Sequence, residues 1–518
     1  MSSRDSRPQL QRLTAGSRRF WERLGPVRRR VRARFEVDTR ALAALRIALA
    51  LIILVDLAHR AMHMELFYTD QGAYPVAAYE ATYDQYTGYS LHALSGDLWF
   101  QQLLFVVAGL FAITLLLGYR TRLVGVVSFV LLFSLQARNP AVLNGADRLL
   151  RVLLLIALVA PLGERWSVDA LRRGTARSRV ASFGTVAVLL QPVIVFTSNA
   201  ILKHGGENWY AGDALEIAML NDAMRFYLGN VIVEYSWLLT VLNYAWVTLL
   251  AGSALFLLAT AGRLRALAAL VYISAFLGML TTMAVGLFPL VLIAALLPFL
   301  TPPFWDALAA RVPSRWAGRL PDREQLGPLG RPPLERRGLE ALRERGHTVL
   351  VAYPRALLTV LGFLVVVWML LFAASDVTDF DVPSEIDSGH LDQQSWGLYA
   401  PDPTEGYTWY VTEATLADGS KVDAVSGGSV NFDRPPDGTV AYETFRHRKF
   451  MRLVWNSAQH ETSPIIADSY ARWACDEASD AHEEAVENVT LYRFYQSSPL
   501  DGEYEEPSRW TAIEQACQ

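Results

Sequence analysis

The sequence predicts an all-α polytopic membrane helical bundle of about nine transmembrane helices, followed by a small C-terminal α+β domain outside the bilayer. Of the 518 residues, 52% are hydrophobic, and they gather in long runs with few or no charges, as bilayer-crossing helices require. The connections between these runs are either rich in arginine or acidic to nearly neutral. The region from Asp376 onward contains 27 acidic and 9 basic residues, a balance that suits a soluble domain.

Seven apolar runs each predict one transmembrane helix. They lie near residues 42–57, 98–118, 123–135, 149–162, 180–202, 237–261 and 357–374. One further run, residues 266–300, has 35 residues without a charge, which is about 50 Å as a single helix and too long for a hydrocarbon core of about 30 Å. We therefore predict a helical hairpin broken near residues 281–286, which brings the total to nine.

The charge of the connections predicts the orientation of the chain. Connections that carry arginine lie at residues 119–122, 164–179, 262–265 and 301–348. Acidic or nearly neutral connections lie at residues 59–97, 139–148 and 204–236. Because positively charged loops stay in the cytoplasm, we predict a cell-membrane protein with a cytoplasmic N-terminus and an extracytoplasmic C-terminus. Residues 1–40 contain twelve arginines, which suit anionic lipid, so the bilayer is an expected partner and nucleic acid is not.

The chain is predicted to have five parts. They are a basic cytoplasmic segment (1–40), a transmembrane domain (41–305), a Pro/Arg-rich cytoplasmic linker (306–352), a last transmembrane helix (353–375) and an acidic extracytoplasmic domain (376–518). In the acidic domain, strand patterns at residues 408–416 and 421–425 flank the turn signal Asp418-Gly419 and predict a hairpin. A further strand is predicted at 489–495 and a helix at 464–475.

Both cysteines, Cys475 and Cys517, lie in the acidic domain. Neither belongs to a CxxC motif or a Cys/His spacing, so no metal site is expected. An extracytoplasmic location permits a disulfide between them. The pairing stays open at this point, because spacing along the chain does not tell how far apart two side chains lie.

Lys203 is the strongest candidate for chemistry. The chain has only three lysines, Lys203, Lys421 and Lys449, against 44 arginines, so a lysine is an unusual cation here. Lys203 ends the fifth predicted span, and Pro192 should bend that helix. An amine in a low-dielectric pocket can give up its proton and act as a general base, whereas an arginine cannot. The alternative is that Lys203 only extends its ammonium group to the membrane interface.

Two histidines at the end of the first span form a weaker candidate. His59 and His63 lie four residues apart, a spacing that could place two imidazoles on one helix face as cofactor ligands. The alternative is that both contact solvent at the interface. The sequence contains no phosphate-binding loop, dinucleotide-binding fingerprint, nucleophile elbow or metalloprotease motif.

Other polar and aromatic residues have simpler predicted roles. Asp56 lies in the first span, and a lone charge at membrane depth is costly. We therefore predict that Asp56 is buried against a partner such as Arg148 or Arg151. The alternative is a role in proton handling. The six tyrosines in residues 68–89 are predicted to form an aromatic belt at the membrane interface.

A set of ordered motifs resembles a known family. The motifs are Tyr68-Thr69-Asp70-Gln71-Gly72 with Pro75, Arg138-Asn139-Pro140, Asn144-Gly145-Ala146-Asp147, Trp166-Ser167-Val168-Asp169, and Lys203 with Trp209 and Gly212. Together they resemble the horizontally transferred transmembrane (HTTM) domain that is shared with vitamin K-dependent γ-carboxylases, over residues 35–305. The stretches at 396–403 and 446–450 are similar to the outer domain of prokaryotic members.

The resemblance implies a reaction and a site. In the animal carboxylases a membrane lysine deprotonates vitamin K hydroquinone, whose oxygenation yields a strong base that removes a γ-proton from glutamate so that carbon dioxide can add. By resemblance, Lys203 takes this role. A reduced quinone, of the menaquinone or vitamin K type, is the implied cofactor, and a protein at the outer face is an implied substrate. The residues implied to line the pocket are Asn144, Asp147, Asn199, His204 and Trp209.

Two hypotheses about function follow. The first is a quinone-dependent, carboxylase-like enzyme of the lyase or epoxidase type. The second is a non-catalytic membrane assembly or transport protein that keeps the carboxylase-like fold. The enzyme hypothesis predicts that Lys203, Asn144 and Asp147 converge on one apolar cavity that opens to the outer leaflet. The animal enzymes also carry a histidine just after the loop asparagine, where this chain has Gly145, Ala146 and Asp147.

Overall fold

The computed structural model describes residues 26, 29–83, 88–311, 354–378, 380, 395–442, 444–459, 464–500 and 503–517. All structural statements below concern these residues. Most of the predicted N-terminal segment (1–40) and of the predicted linker (306–352) lies outside them, as does Tyr86 of the predicted aromatic belt.

Nine helices connect the two ends of a bundle in this described part of the chain. They are α1 (Thr39–Ala61), α2 (Leu98–Leu117), α3 (Thr121–Arg138), α4 (Gly145–Val159), α5 (Phe183–Lys203), α6 (Ser236–Ser253, continued by a π-helix, Ala254–Ala259), α7 (Gly262–Thr282), α8 (Phe288–Leu296) and α9 (Pro354–Val377). Seven of them have the length and hydropathy of a membrane span, and α4 and α8 are shorter. The predicted polytopic helical bundle is confirmed.

Contacts at the start of α1 define one end of the bundle. Strand β1 (Val37–Asp38) pairs antiparallel with β2 (Arg179–Val180), so α1 and α5 begin side by side and run in the same direction. We call this end the Arg46 end, because Arg46 lies in the second turn of α1. The opposite end, where α5 finishes, is called the Lys203 end.

Helix α4 crosses the bundle although it has only 15 residues. Asp147, in its first turn, lies 2.6 Å from Arg60 at the Lys203 end. Leu162, just beyond its last turn, accepts a hydrogen bond from Arg46. With a rise of about 1.5 Å per residue, the residues between Asp147 and Leu162 span roughly 20 Å along the helix axis. Helix α4 therefore runs from the Lys203 end to the Arg46 end, antiparallel to α1.

Helix α8 forms the second half of the predicted hairpin. Helix α7 ends at Thr282 and α8 begins at Phe288, so the break lies close to the predicted position. Phe288 lies beside Gly145 at the Lys203 end. A short 3₁₀ turn (Leu297–Phe299) follows, and the chain then bends by 100° into the helix Pro302–Ala309.

Local sequence explains where the helices start and stop. Asn144 caps α4 and forms a reciprocal capping box with Asp147, and Ser182 does the same for α5, which satisfies amide donors that a helix start leaves free. Gly118 ends α2 with φ of +68°. A Cβ at Gly118 would lie 2.4 Å from the side chain of Ser167, so only glycine fits both the conformation and the space.

Shorter helices fill the connections. They are Met64–Tyr68, Val76–Thr82, Leu91–Ala93, Pro140–Val142, Val168–Arg173, Asn208–Ala211, Ala214–Leu220, Asp222–Met224 and Leu228–Ile232. The predicted aromatic belt is wrong for three of its tyrosines, because Tyr68, Tyr74 and Tyr79 are buried. Their neighbours are arginines: Arg60 donates to the hydroxyl of Tyr68, and Arg138 lies over the rings of Tyr74 and Tyr79.

The C-terminal domain contains a four-stranded antiparallel sheet and two long helices. The sheet order is β4-β3-β5-β6, with β3 (Tyr407–Leu416), β4 (Lys421–Asp423), β5 (Val486–Gln496) and β6 (Ser508–Ala516). The helices are α10 (Phe445–Ala458) and α11 (Ile465–Ala481), with a short helix Gly438–Ala441 before them. The predicted hairpin, the third strand and an α+β domain are present, whereas α10 and β6 were not predicted.

A disulfide closes the domain. The sulfur atoms of Cys475, on α11, and Cys517, just after β6, are bonded to each other. The link joins a helix to the edge strand of the sheet across 42 residues of sequence. The bond restricts the conformations of the unfolded chain, which stabilises the fold.

The C-terminal domain packs directly on the Lys203 end of the bundle. Phe450 of α10 contacts the rings of Phe67 and Tyr74, with centroid distances of 5.4 and 5.9 Å. Phe450, Met451 and Val454 belong to the same apolar cluster as the buried faces of the transmembrane helices. This packing brings two segments of the C-terminal domain, residues 396–402 and helix α10, onto the region where the predicted site residues lie.

Candidate functional site

Lys203 is buried at the end of α5, with 3% of its surface exposed. Its Nζ atom donates hydrogen bonds to the backbone carbonyls of Leu398 and Tyr399, at 2.7 and 2.8 Å. The third side of the amine faces the indole ring of Trp209, whose centroid is 3.6 Å away. The amine of Lys203 is therefore enclosed by protein groups and is not exposed at the surface of the described structure.

Asn199 and Trp209 direct their donors at the same backbone segment. The Nδ2 atom of Asn199, one helical turn before Lys203, donates to the carbonyls of Trp396 and Leu398 at 2.8 and 3.0 Å. The indole Nε1 of Trp209 donates to the carbonyl of Tyr399 at 3.0 Å. Three side chains thus hold one short stretch of backbone through its carbonyl oxygens.

This stretch, residues 396–402, is called the covering loop below. Its far end is anchored by Asp402, whose carboxylate accepts hydrogen bonds from the backbone N–H groups of Glu207 and Asn208 at 2.9 and 3.1 Å. The Ala400–Pro401 peptide bond in the loop is cis. Burial raises the pKa of the Tyr399 phenol to about 12, partly offset by Arg448, so this group stays protonated at neutral pH.

Leu398 lies between Lys203 and the predicted residues on α4. Its carbonyl accepts from Lys203, and its side chain lies 3.3 Å from the position that a Cβ at Gly145 would take. The neighbouring Asn144 caps α4 and donates from Nδ2 to the carbonyl of Val285 at 3.2 Å. The predicted residues therefore form two adjacent groups separated by one side chain of the covering loop, rather than one open cavity.

Asp147 belongs to a buried square of four charges. Arg60 contacts both Asp56 and Asp147, at 2.9 and 2.6 Å. Arg446, from helix α10, contacts the same two carboxylates at 2.6 and 3.0 Å. All four side chains are at most 5% exposed, and two positive charges balance two negative ones, so the square is neutral overall. Asp147 is thus part of the contact between the C-terminal domain and the bundle.

The ion-pair partners of Asp56 differ from the predicted ones. Arg148 and Arg151 were proposed, whereas Arg60 and Arg446 bind it. The spacing of four residues between Asp56 and Arg60 on one helix was a signal that could have suggested this pair. Arg446 had no comparable signal, because it is 390 residues away in the sequence.

The histidine candidates lie outside the Lys203 group. His204 is exposed, and its Nδ1 atom is 2.8 Å from the hydroxyl of Tyr210. His59 is exposed, and the ring of His63 packs edge-on against Phe67. In the described residues no group of three or more His, Cys, Asp or Glu side chains is arranged to hold a metal ion.

We expect Gly206 to control whether the covering loop can close over Lys203. A Cβ at Gly206 would lie 2.5 Å from the carbonyl oxygen of Pro401 and 2.6 Å from Cγ of Asp402. Gly206→Ala should therefore displace the loop, because a clash of this size raises the free energy of the closed state by about 1–3 kcal/mol. Acylation of Lys203 by an N-hydroxysuccinimide ester should then rise about tenfold. Peptide mass spectrometry measures the labelling, which is simple to read since the chain has three lysines.

Gly205→Ala is the matched control for this experiment. At Gly205 an added Cβ meets only ordinary contacts, 3.6 Å from the carbonyl of Leu202 and 3.7 Å from Pro401. Lys421, whose side chain is 57% exposed, gives the labelling of an open lysine in every sample. Equal labelling of Lys203 in both variants would show that the covering loop does not restrict access to the amine.

Comparison with known proteins adds one result. A family model described as HTTM domain matches residues 35–305, which is more than half of the chain. No curated protein and no solved structure matches the chain. The matched range includes Lys203, Asn199, Trp209 and the α4 residues, and it ends before the covering loop and helix α10.

Proposed function

Since the chain belongs to the HTTM domain family and is a multi-pass membrane protein, we propose that it is a quinone-dependent, carboxylase-like enzyme with Lys203 as its general base. The substrate would be a protein or small molecule that binds at the Lys203 end. The distribution of arginine along the sequence predicts that this end lies at the outer face of the cell membrane. The C-terminal domain, packed on this end, would present the substrate.

One observation carries this proposal, namely that Lys203 is buried and held only by neutral groups. In the described part of the chain no carboxylate forms an ion pair with it, and Asp402 directs its oxygens to backbone N–H groups instead. A buried lysine with a purely structural role is normally paired with an acid. An amine held by carbonyls and an indole can change its protonation state without leaving an unpaired carboxylate behind.

The donors around Lys203 suit a quinone oxygen. Asn199, Lys203 and Trp209 already direct N–H groups at carbonyl oxygens of the covering loop, and a quinone presents the same kind of acceptor. The loop occupies this position, so a quinone would bind Asn199 and Trp209 once the loop has moved. A reduced quinone would supply a hydroxyl proton and the reducing equivalents that react with dioxygen.

Each residue of the group then has a defined task. The Nζ atom of Lys203 would accept the hydroxyl proton and become an ammonium ion. The indole face of Trp209 stabilises that ion, since a cation over an aromatic ring is attracted to it. Asn199 would hold the oxygen in place through its Nδ2 atom, which donates to the covering loop in the closed structure.

Mass spectrometry of the purified protein tests the proposal. We expect an extract of the full chain, purified in a mild detergent, to contain a menaquinone-type quinone at close to one per chain. The amount should fall in Asn199→Leu, which removes a donor and keeps a similar volume. Absence of quinone from the extract, together with no binding of added menaquinol, would contradict the proposal.

The closed loop favours the second candidate, a non-catalytic membrane protein of assembly or transport. Lys203 and Asn199 each donate two hydrogen bonds to the chain itself, as in a purely structural contact. The Gly206→Ala variant separates the two candidates. If its Lys203 becomes accessible and the protein still neither binds nor oxidises menaquinol, the non-catalytic candidate is preferred.

A further inference from the structure

A cavity of about 660 Å³ lies at the Arg46 end of the bundle, opposite Lys203. Its walls come from α1, α2, α3, α4 and the segment that follows α4. It is therefore separate from the Lys203 group and has no part in the function proposed above.

The polar wall of this cavity is strongly basic. Five arginines and two acids line it: Arg46, Arg120, Arg122, Arg172, Arg173, Glu164 and Asp169. Both acids already have partners. Asp169 accepts from the backbone N–H groups of Arg120 and Thr121 and from the hydroxyl of Thr121, and Glu164 pairs with Arg177 at 2.7 Å.

Two of the arginines keep their donors available. Arg46 donates to four backbone carbonyls, including those of Leu162 and Trp166, so it shapes the wall. Arg122 and Arg172 make no hydrogen bond or ion pair within the described residues, although Arg172 stacks over the ring of Tyr119 at 4.5 Å. Two guanidinium groups at one cavity, each with a planar set of donors, match the oxygens of a phosphate group.

The remaining wall is apolar. It consists of leucine, alanine and proline side chains of the four helices and of the segment that follows α4, among them Leu49, Leu115, Leu154 and Leu158. A small inorganic anion would leave this surface in contact with water. A molecule with a phosphate at one end and a hydrocarbon chain at the other satisfies both walls.

We infer that this cavity binds an anionic phospholipid, with its phosphate at Arg122 and Arg172 and an acyl chain along the leucine wall. The bilayer supplies such a ligand in the leaflet at the Arg46 end. Arginine near a membrane surface also attracts anionic lipid without any pocket. A defined site differs from that general attraction in one respect. Lipid binding at a defined site requires Arg122 and Arg172 themselves, whereas other arginines at the same end of the bundle do not contribute to it.

Thermal unfolding of the delipidated full chain in a neutral detergent tests this inference. The added probes are dioleoylphosphatidylglycerol, dioleoylphosphatidylcholine and inorganic phosphate. We expect phosphatidylglycerol alone to raise the unfolding midpoint, and its apparent affinity to fall about tenfold or more in the double variant Arg122→Gln/Arg172→Gln, because two charge-assisted contacts are lost. Native mass spectrometry counts the lipid molecules that stay bound.

Arg179→Gln/Arg263→Gln is the matched control. Both residues are exposed, do not line the cavity, and belong to the same end of the bundle, so the double variant removes the same charge. Its affinity should equal that of the unchanged chain. An equal loss in both double variants, or equal binding of phosphatidylcholine, would overturn the inference. An equal effect of inorganic phosphate would also overturn it, since the ligand would then be a free anion.

Discussion

Lys203→Arg is expected to lower menaquinol-dependent turnover by about 10²–10⁴-fold, the usual contribution of a general base, while the chain stays folded in detergent. Arginine keeps the positive charge and the hydrogen-bond donors, but it does not give up its proton at any accessible pH. The loss would therefore come from the missing base. Menaquinol oxidation, followed by absorbance and by oxygen uptake, measures the effect.

Lys421→Arg is the control for this substitution. Lys421 lies in the C-terminal domain, pairs with Glu413 at 2.7 Å and has a side chain that is 57% exposed, so its replacement should leave turnover unchanged. The unfolding midpoint of each variant separates a lost base from a lost fold. Turnover in a folded Lys203→Arg protein equal to that of the unchanged chain would remove Lys203 from any catalytic role.

The second large effect concerns the buried square of Asp56, Arg60, Asp147 and Arg446. Arg446→Ala should destabilise the protein by about 3–5 kcal/mol, because it leaves one negative charge uncompensated in a buried site. The contact between α10 and the bundle should weaken as well. The unfolding midpoint in detergent measures the first effect, and limited proteolysis between the last transmembrane helix and the C-terminal domain measures the second.

Arg452→Ala is the matched control, since Arg452 lies on the same helix and is exposed. A surface arginine of this kind contributes little, within about 0.5 kcal/mol. Similar unfolding midpoints for the two variants would show that the square is not important for docking. A double variant, Arg446→Met/Asp147→Leu, would restore charge balance and should recover part of the stability.

The square also explains how the C-terminal domain takes part in the fold. Arg446 contacts carboxylates from α1 and α4, and the covering loop contacts the end of α5. Two separate segments of the C-terminal domain therefore lie on the two residue groups that the family resemblance selected. Because the covering loop and the square involve different segments, we expect that displacing the loop leaves the square intact and the domain docked.

Several features of the fold were predictable because they depend on local composition. The transmembrane helices, the break in the 266–300 run and the hairpin around Asp418-Gly419 all follow from hydropathy or turn signals over short windows. Helix α4 was also found, although its 15 residues fall below the usual length of a span. Helix α10 was missed, since its sequence is rich in charge and its apolar residues face the bundle only after docking.

The sequence supplied candidates for the site but not their geometry. Lys203 was proposed because lysine is rare in this chain, and Asn199, Trp209, Asn144 and Asp147 were proposed from the family resemblance. Only the tertiary structure decided that carbonyls some 195 residues further along the chain cover Lys203, and that Arg446 neutralises Asp147. The physical reason is that transfer of a segment into lipid depends on that segment alone, whereas the partner of a buried polar group is decided by how distant segments pack.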